Sequence, residues 1–144
     1  MFKGKKVLVL GLAKSGKAAV ELLKFMHADI TINESKKKED IPEYDKYVSE
    51  GIEMVCGGQP DELFERDFDF VVKNPGINYH APFILRLKER GIPVYTEIEL
   101  GYKVAKKQHY IAVTGTNGKT TTVTLIYEIL KVAGRKAHIC GNYG

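Results

Sequence analysis

Residues 5–16 read KKVLVLGLAKSG, and the reading of this stretch decides the fold. Its first half, 5–10, is a continuous apolar run ending in Gly11, the pattern of a strand buried on both faces. Across residues 15–27 the apolar positions Ala18, Ala19, Leu22, Leu23 and Met26 keep a helical spacing. A second short run, ITIN at 30–33, predicts another strand. Strand, glycine turn, helix and strand make a βαβ unit, and such units build parallel sheets.

The alternation continues along the chain. A short helix is expected at 42–49, a strand at 52–55 closed by Gly57-Gly58, and a strand at 68–72 ended by Asn74-Pro75-Gly76. Residues 82–90 carry Pro82 at the start and Gly91 just past the end, the punctuation of a helix, and 93–95 is a short strand. Residues 1–96 therefore predict a complete α/β domain with a Rossmann-like parallel sheet. A helix over 97–108 makes 97–109 a connection. Beyond it, a strand at 110–113, a helix at 118–133 and a strand at 136–140 predict a second βαβ unit in 110–144. A domain usually needs on the order of 100 residues for its core. That unit is accordingly read as the opening of a second domain, with apolar faces left uncovered, mobile, or packed on the first domain or another copy.

Composition narrows the class. At 44% hydrophobic and 28% charged, the chain is globular and not disordered. The net charge of +4 is spread among acidic residues, and Lys36-Lys37-Lys38 runs directly into Glu39 and Asp40, so no nucleic-acid partner is expected. The apolar run at 7–10 is too short for a signal-peptide core or a membrane span. Cys56 and Cys140 are isolated and lack metal-ligand spacing, which fits a reduced, cytoplasmic protein with no membrane partner. Cys140 is expected to be a buried strand residue. Tyr44, Tyr47, Phe64, Phe68 and Phe70 are expected in the core and its cover.

Two glycine loops carry the chemistry. Gly11-Leu12-Ala13-Lys14-Ser15-Gly16 lies between a strand and a helix and matches the dinucleotide fingerprint at its first and third glycines, with Ala13 replacing the second. A tight turn feeding a helix N-terminus presents backbone N–H groups and a positive dipole end to a phosphate. The Ala13 methyl argues against ordinary NAD binding. Glu34, at the end of the second strand, stands where such folds hold a ribose hydroxyl. The second loop, Gly115-Thr116-Asn117-Gly118-Lys119-Thr120, is a shortened phosphate loop followed by Thr121 and Thr122. Its glycines let N–H groups turn inward, Lys119 can reach β- and γ-phosphates, and the Thr120 hydroxyl is placed for Mg²⁺.

This order of loops resembles the Mur ligases of peptidoglycan precursor synthesis, whose ATP loop has the short form TGTNGKT(T/S), here at 114–121. GLAKSG at 11–16, KNPGI at 73–77, EIEL at 97–100 and CGNYG at 140–144 make the likeness one to the MurD type, over its N-terminal portion. The resemblance implies an ATP-dependent amide ligase that adds D-glutamate to UDP-N-acetylmuramoyl-L-alanine through an acyl phosphate. It implies that Lys14 and Ser15 meet the diphosphate of the UDP moiety and that Glu34, Ser35 and Lys36 contact the uridine. Gly76 would approach the uracil, and Asn142 would reach back to the diphosphate. Gly115, Thr116, Asn117, Gly118, Lys119, Thr120 and Thr121 would hold ATP, with Lys119 and Thr120 catalytic and Thr120 on Mg²⁺.

In the family the remaining acidic residues and the D-glutamate site lie past the position of Gly144. The 144 residues are therefore expected to bind UDP-type ligands weakly and not to ligate; the native enzyme is expected to be a monomer, with self-association possible for the short chain. Three rival readings stay open: another Mur ligase, a nicotinamide-dependent Rossmann oxidoreductase using the first loop, and a nucleotide-binding module without chemistry. A folylpolyglutamate synthase, which shares the short ATP loop, is disfavoured by the domain preceding that loop.

Overall fold

The computed structural model describes residues 2–105 and 107–141. The chain divides into two units, Met1–Val104 and Ala105–Gly144.

The first unit is a five-stranded parallel sheet in the order β3-β2-β1-β4-β5. In chain order it comprises β1 (Lys6–Leu10), α1 (Lys14–Phe25), β2 (Asp29–Glu34), a 3₁₀ turn (Lys38–Asp40) and α2 (Tyr44–Ser49). Then follow β3 (Glu53–Cys56), α3 (Asp61–Phe64), β4 (Phe70–Lys73), α4 (Pro82–Glu89), β5 (Val94–Thr96) and α5 (Glu97–Val104). Strands run outward from β1 in one direction and from β4 in the other. The order therefore reverses between them, the place where open α/β sheets leave a crevice beyond the carboxyl ends of their strands.

β1 shows why the apolar run has no polar side. Val7 and Val9 enter a core with Val20 and Leu23 of α1 and Leu100 of α5, while Leu8 and Leu10 enter a second core with Phe64, Ile84 and Leu87. Each strand thus joins two layers, and period-2 alternation distributes apolar side chains to both faces. Tyr47, Phe64, Phe68 and Phe70 are buried and Tyr44 packs against the first core, as the sequence leads one to expect.

α5 belongs to this unit. It starts with a capping box: the Glu99 carboxylate accepts from the Thr96 N–H at 2.7 Å, and the Glu99 N–H donates to the Thr96 hydroxyl at 3.3 Å. It ends at Val104, four residues short of the helix expected over 97–108. Leu100 is fully buried, so this segment closes the first core before the chain leaves it.

The second unit has one regular element among its described residues, the 14-residue helix α6 (Lys119–Val132). The strands expected at 110–113 and 136–140 are not formed. A strand exists as a hydrogen-bonded ladder, and neither run has a partner strand here; Ile111 is 62% exposed. Cys140 is correspondingly exposed and not buried in a strand. No residue of α6 is buried, and Leu125, Ile129 and Val132 face outward.

Candidate functional site

The first glycine loop sits at the carboxyl end of β1, and three further segments are fastened to it. The Gly11 N–H donates to the Asn33 carbonyl at 2.8 Å, continuing the β1–β2 ladder past the strand end. Gly11 has φ +87°, and a Cβ there would lie 3.3 Å from the Asn74 Cβ, so the turn needs glycine both for its conformation and for the close approach of the β4 exit. At Gly16 a Cβ would fall 2.0 Å from the Gly11 carbonyl oxygen. This is the packing glycine of the fingerprint, which lets α1 start directly against the loop. The helix has no side-chain N-cap, which leaves its first-turn N–H groups to face the loop's concave side.

Glu34 holds the loop from behind. Its Oε2 accepts from the Leu12 N–H at 2.7 Å, while Oε1 accepts from the Ser35 hydroxyl at 3.1 Å and the Lys36 N–H at 3.2 Å. Burial works against the charge on this carboxylate. The N–H groups of Leu12 and Lys36, the Ser35 hydroxyl and the Lys36 ammonium outweigh it and keep the carboxyl below the usual glutamate range. A residue that a dinucleotide fold turns toward a ribose is here directed onto the loop backbone.

Together these segments line a cleft of about 290 Å³, with Gly11, Leu12 and Ala13 on one side, Asn33 to Lys36 at the back, and Gln59, Asn74 and Ile77 closing it. Of the residues singled out from the sequence, Glu34, Ser35 and Lys36 line it, and Ser15 borders it through the Asn74 amide, 3.5 Å from the Ser15 hydroxyl. Lys14 is exposed at the start of α1. Gly76 is exposed too, its N–H donating to Asn74 Oδ1 at 2.9 Å. Asn142 lies outside the described residues.

The sequence reading missed Asn33 and Asn74 as individuals. Asn33 is buried, its amide donating to the carbonyls of Val55 and Gly58 at 3.1 and 2.7 Å, which ties the β3 exit to the back of the cleft. Asn74 forms an Asx turn over Pro75 and touches both Gly11 and Ser15. An Asn-Pro-Gly at a strand exit was the available signal for it.

The second loop, in its own unit, has the backbone its spacing requires. Gly115 and Gly118 have φ of +149° and +76°, and Gly118 is the N-cap of α6, again without a side-chain cap. The Lys119 ammonium folds back across the loop and donates to the carbonyls of Gly115 at 2.5 Å and Thr116 at 3.0 Å. Residues 114–122, including Thr116, Asn117, Thr120 and Thr121, are exposed. Among the described residues there is no group of three or more His, Cys, Asp or Glu side chains able to hold a metal ion, and no helix long and apolar enough to cross a membrane.

Comparison with known proteins agrees with both loops. Residues 5–96 match the family described as Mur ligase MurD-like, N-terminal domain, and 113–144 match the Mur ligase middle domain. The chain is 47% identical over 143 residues to the UDP-N-acetylmuramoylalanine–D-glutamate ligase of Streptococcus agalactiae, covering 99% of this chain and 32% of that one. It is 48% identical over 142 residues to the same-named enzyme of Streptococcus thermophilus, covering 99% and 31%. It thus spans about a third of the length of the curated relatives it matches. Among solved structures, a pseudomurein peptide ligase type C from Methanothermus fervidus superposes with a TM-score of 0.58 at 28% identity, over 91% of this chain and 27% of that one. A murein peptide ligase from Psychrobacter arcticus shares the fold, with a TM-score of 0.63 at 22% identity over 91% and 27%. With a MurD-like domain matched along most of its length, and the middle-domain signature following it in the same order, the chain belongs to the Mur ligase family.

Proposed function

We propose that this chain provides the carrier-binding domain and the ATP loop of a ligase that adds D-glutamate to UDP-N-acetylmuramoyl-L-alanine. The observation that carries the reading is the cleft at the sheet's reversal point, where a glycine loop, the end of β2 and the Asn74 turn converge. The names of the relatives at 47–48% identity supply the substrate. Lys14, Ser15 and the uncapped first turn of α1 would take the diphosphate, the ammonium and the helix dipole offsetting its charge. Ser35, Lys36 and Gly76 would meet the uridine, with Glu34 shaping the loop between them. Asn142 would add a diphosphate contact.

The donor set of the second loop fits Mg·ATP: a lysine held over the loop, an uncapped helix start and exposed threonines. ATP with Mg²⁺ supplies the phosphoryl group that activates a carboxylate for amide formation. Lys119 would exchange its carbonyl partners for phosphate oxygens, and Thr120 would offer its hydroxyl to the metal. Gly115, Thr116, Asn117, Gly118 and Thr121 would shape and line that loop. For the 144 residues themselves the reading is one of binding.

Calorimetric titration with UDP-N-acetylmuramoyl-L-alanine, NAD and Mg·ATP in separate arms tests this. The UDP ligand should bind, and Ser15→Glu should abolish that binding by placing a carboxylate against the diphosphate. Binding of NAD with no heat from the UDP ligand would overturn the proposal in favour of an oxidoreductase.

A further inference from the structure

β4 ends in a residue that does not belong in an apolar core. Phe70, Val71 and Val72 are buried, and Lys73, directly after them, is 2% exposed. Burying an ammonium costs several kcal/mol unless its hydrogen bonds are replaced, and an aliphatic residue would finish this strand without that cost. The partners of Lys73 show what the position obtains in return. Its Nζ donates to the Ile77 carbonyl at 2.8 Å and to the Asn74 carbonyl at 3.3 Å, the two ends of the chain reversal after the strand. The Tyr79 ring covers it, with its centroid 4.0 Å from Nζ. Two carbonyls and a ring face account for the three donors of an ammonium. The Lys88 ammonium also lies near this ring, 4.8 Å from its centroid.

The segment fastened this way is one wall of the cleft. Asn74 and Ile77 line it, Asn74 contacts Gly11, and its amide faces Ser15. The local bonds of the turn, Gly76 N–H to Asn74 Oδ1 and Ile77 N–H to the Asn74 carbonyl, fix its internal shape. The turn is also held from outside: the Asn74 N–H donates to the Leu10 carbonyl of β1 at 3.0 Å, and Ile77 packs against the second core. Lys73 adds the bonds that draw both ends of the turn onto the end of β4, because its ammonium reaches both carbonyls. Burial lowers the affinity of Lys73 for its proton, the carboxylates of Glu97 and Glu99 raise it again, and Lys88 opposes them.

We infer that Lys73, capped by Tyr79, is a positioning residue that clamps the 74–77 turn against the first glycine loop and so sets the affinity of the cleft for its ligand. The ligand half of this inference rests on the UDP reading above, whereas the clamp itself does not. Both halves can be read in one series: wild type, Lys73→Met, Lys73→Arg and Tyr79→Leu. The first readout is amide hydrogen exchange at Gly76 and Ile77, and the second is titration with UDP-N-acetylmuramoyl-L-alanine.

Lys73→Met should speed exchange at both amides at least tenfold and weaken the UDP ligand at least tenfold, with cooperative unfolding retained. Lys73→Arg, which keeps donors for two carbonyls, should recover part of both. If Lys73→Met does not fold, Tyr79→Leu, at a more exposed position, should give the same changes at smaller size. Unchanged exchange in the folded variants would overturn the clamp. Faster exchange with undiminished ligand affinity would overturn its role in binding. A wild type that shows protected amides but binds no UDP ligand would instead overturn the functional proposal and leave the clamp standing on its exchange result.

Discussion

The two glycine loops are built from the same parts and differ in what stands behind them. Each ends in a glycine close to an uncapped helix start, and each follows an apolar run. Around the first, β1 is paired on both sides, Glu34 holds the Leu12 N–H, and Asn74 leans on Gly11. Around the second, the apolar run has no ladder, the loop is exposed throughout, and α6 buries no side chain. A phosphate loop is local in its chemistry, since its donors come from a few consecutive residues. Its rigidity is not local, because strands and amphipathic helices are stabilised by what they pack against.

The sharpest test is the same substitution in both loops. Gly16→Ala puts a methyl 2.0 Å from a backbone oxygen that cannot move without breaking the Gly11 turn. The expected loss is about 3 kcal/mol of unfolding free energy, at the upper end for overpacking. At Gly118 nothing lies within 4 Å of a new Cβ, and the cost is the left-handed φ of +76° alone, about 1–2 kcal/mol confined to the start of α6. Urea unfolding followed by circular dichroism should show a lowered midpoint for Gly16→Ala and an unmoved main transition for Gly118→Ala. Equal shifts would mean that the second loop is as deeply integrated as the first.

A smaller effect is expected from Glu34→Gln. The amide can accept from one side of the carboxylate's partners but must turn its NH₂ toward the other, setting donor against donor. Losing hydrogen bonds to a charged acceptor of this kind costs about 1–3 kcal/mol. The pH dependence gives an independent check. A glutamate whose folded pKa is depressed contributes stability that is present above its unfolded pKa, about 4.3, and is lost as the pH falls through the folded value. The gap between wild type and Glu34→Gln should therefore be full at pH 6 and shrink below about pH 4. Glu21, Glu43, Glu53 and Asp69 are depressed as well, so only the difference between the two proteins reports on Glu34. A constant gap down to pH 3 would assign the loss to shape and not to charge.

The same contrast explains what could be read from sequence. Periodicity found all five strands of the first unit because together they send apolar side chains to the two layers, buried in β1, β2 and β4 and half-buried in the edge strands β3 and β5. It placed strands at 110–113 and 136–140 by the same rule, but an apolar run marks a strand only when neighbours supply the ladder. The glycine spacing located both loops. It could not show Glu34 folded onto Leu12, because spacing cannot separate a carboxylate that contacts a ligand from one that holds the loop. Lys73 was hidden for a related reason: a lysine after FVV reads as the strand's exit into solvent, and only the turn returning over it makes it interior.

The smallest stability effect should come from a residue with a large expected effect on a ligand. Lys119 makes two hydrogen bonds to loop carbonyls, both exposed and with water as a ready substitute. Lys119→Met should therefore change the unfolding free energy by no more than about 0.5 kcal/mol, the range of surface substitutions. Yet the ammonium is the one cation in the second loop, and removing a charged hydrogen bond to phosphate should weaken Mg·ATP by about tenfold or more. Calorimetry beside urea unfolding separates the two. A loss of stability comparable to that of Glu34→Gln would mean that Lys119 organises the loop, as Glu34 organises the first. Retained stability with lost nucleotide binding would mean that the second loop's residues are disposed toward a ligand, in a unit whose own packing asks nothing of them.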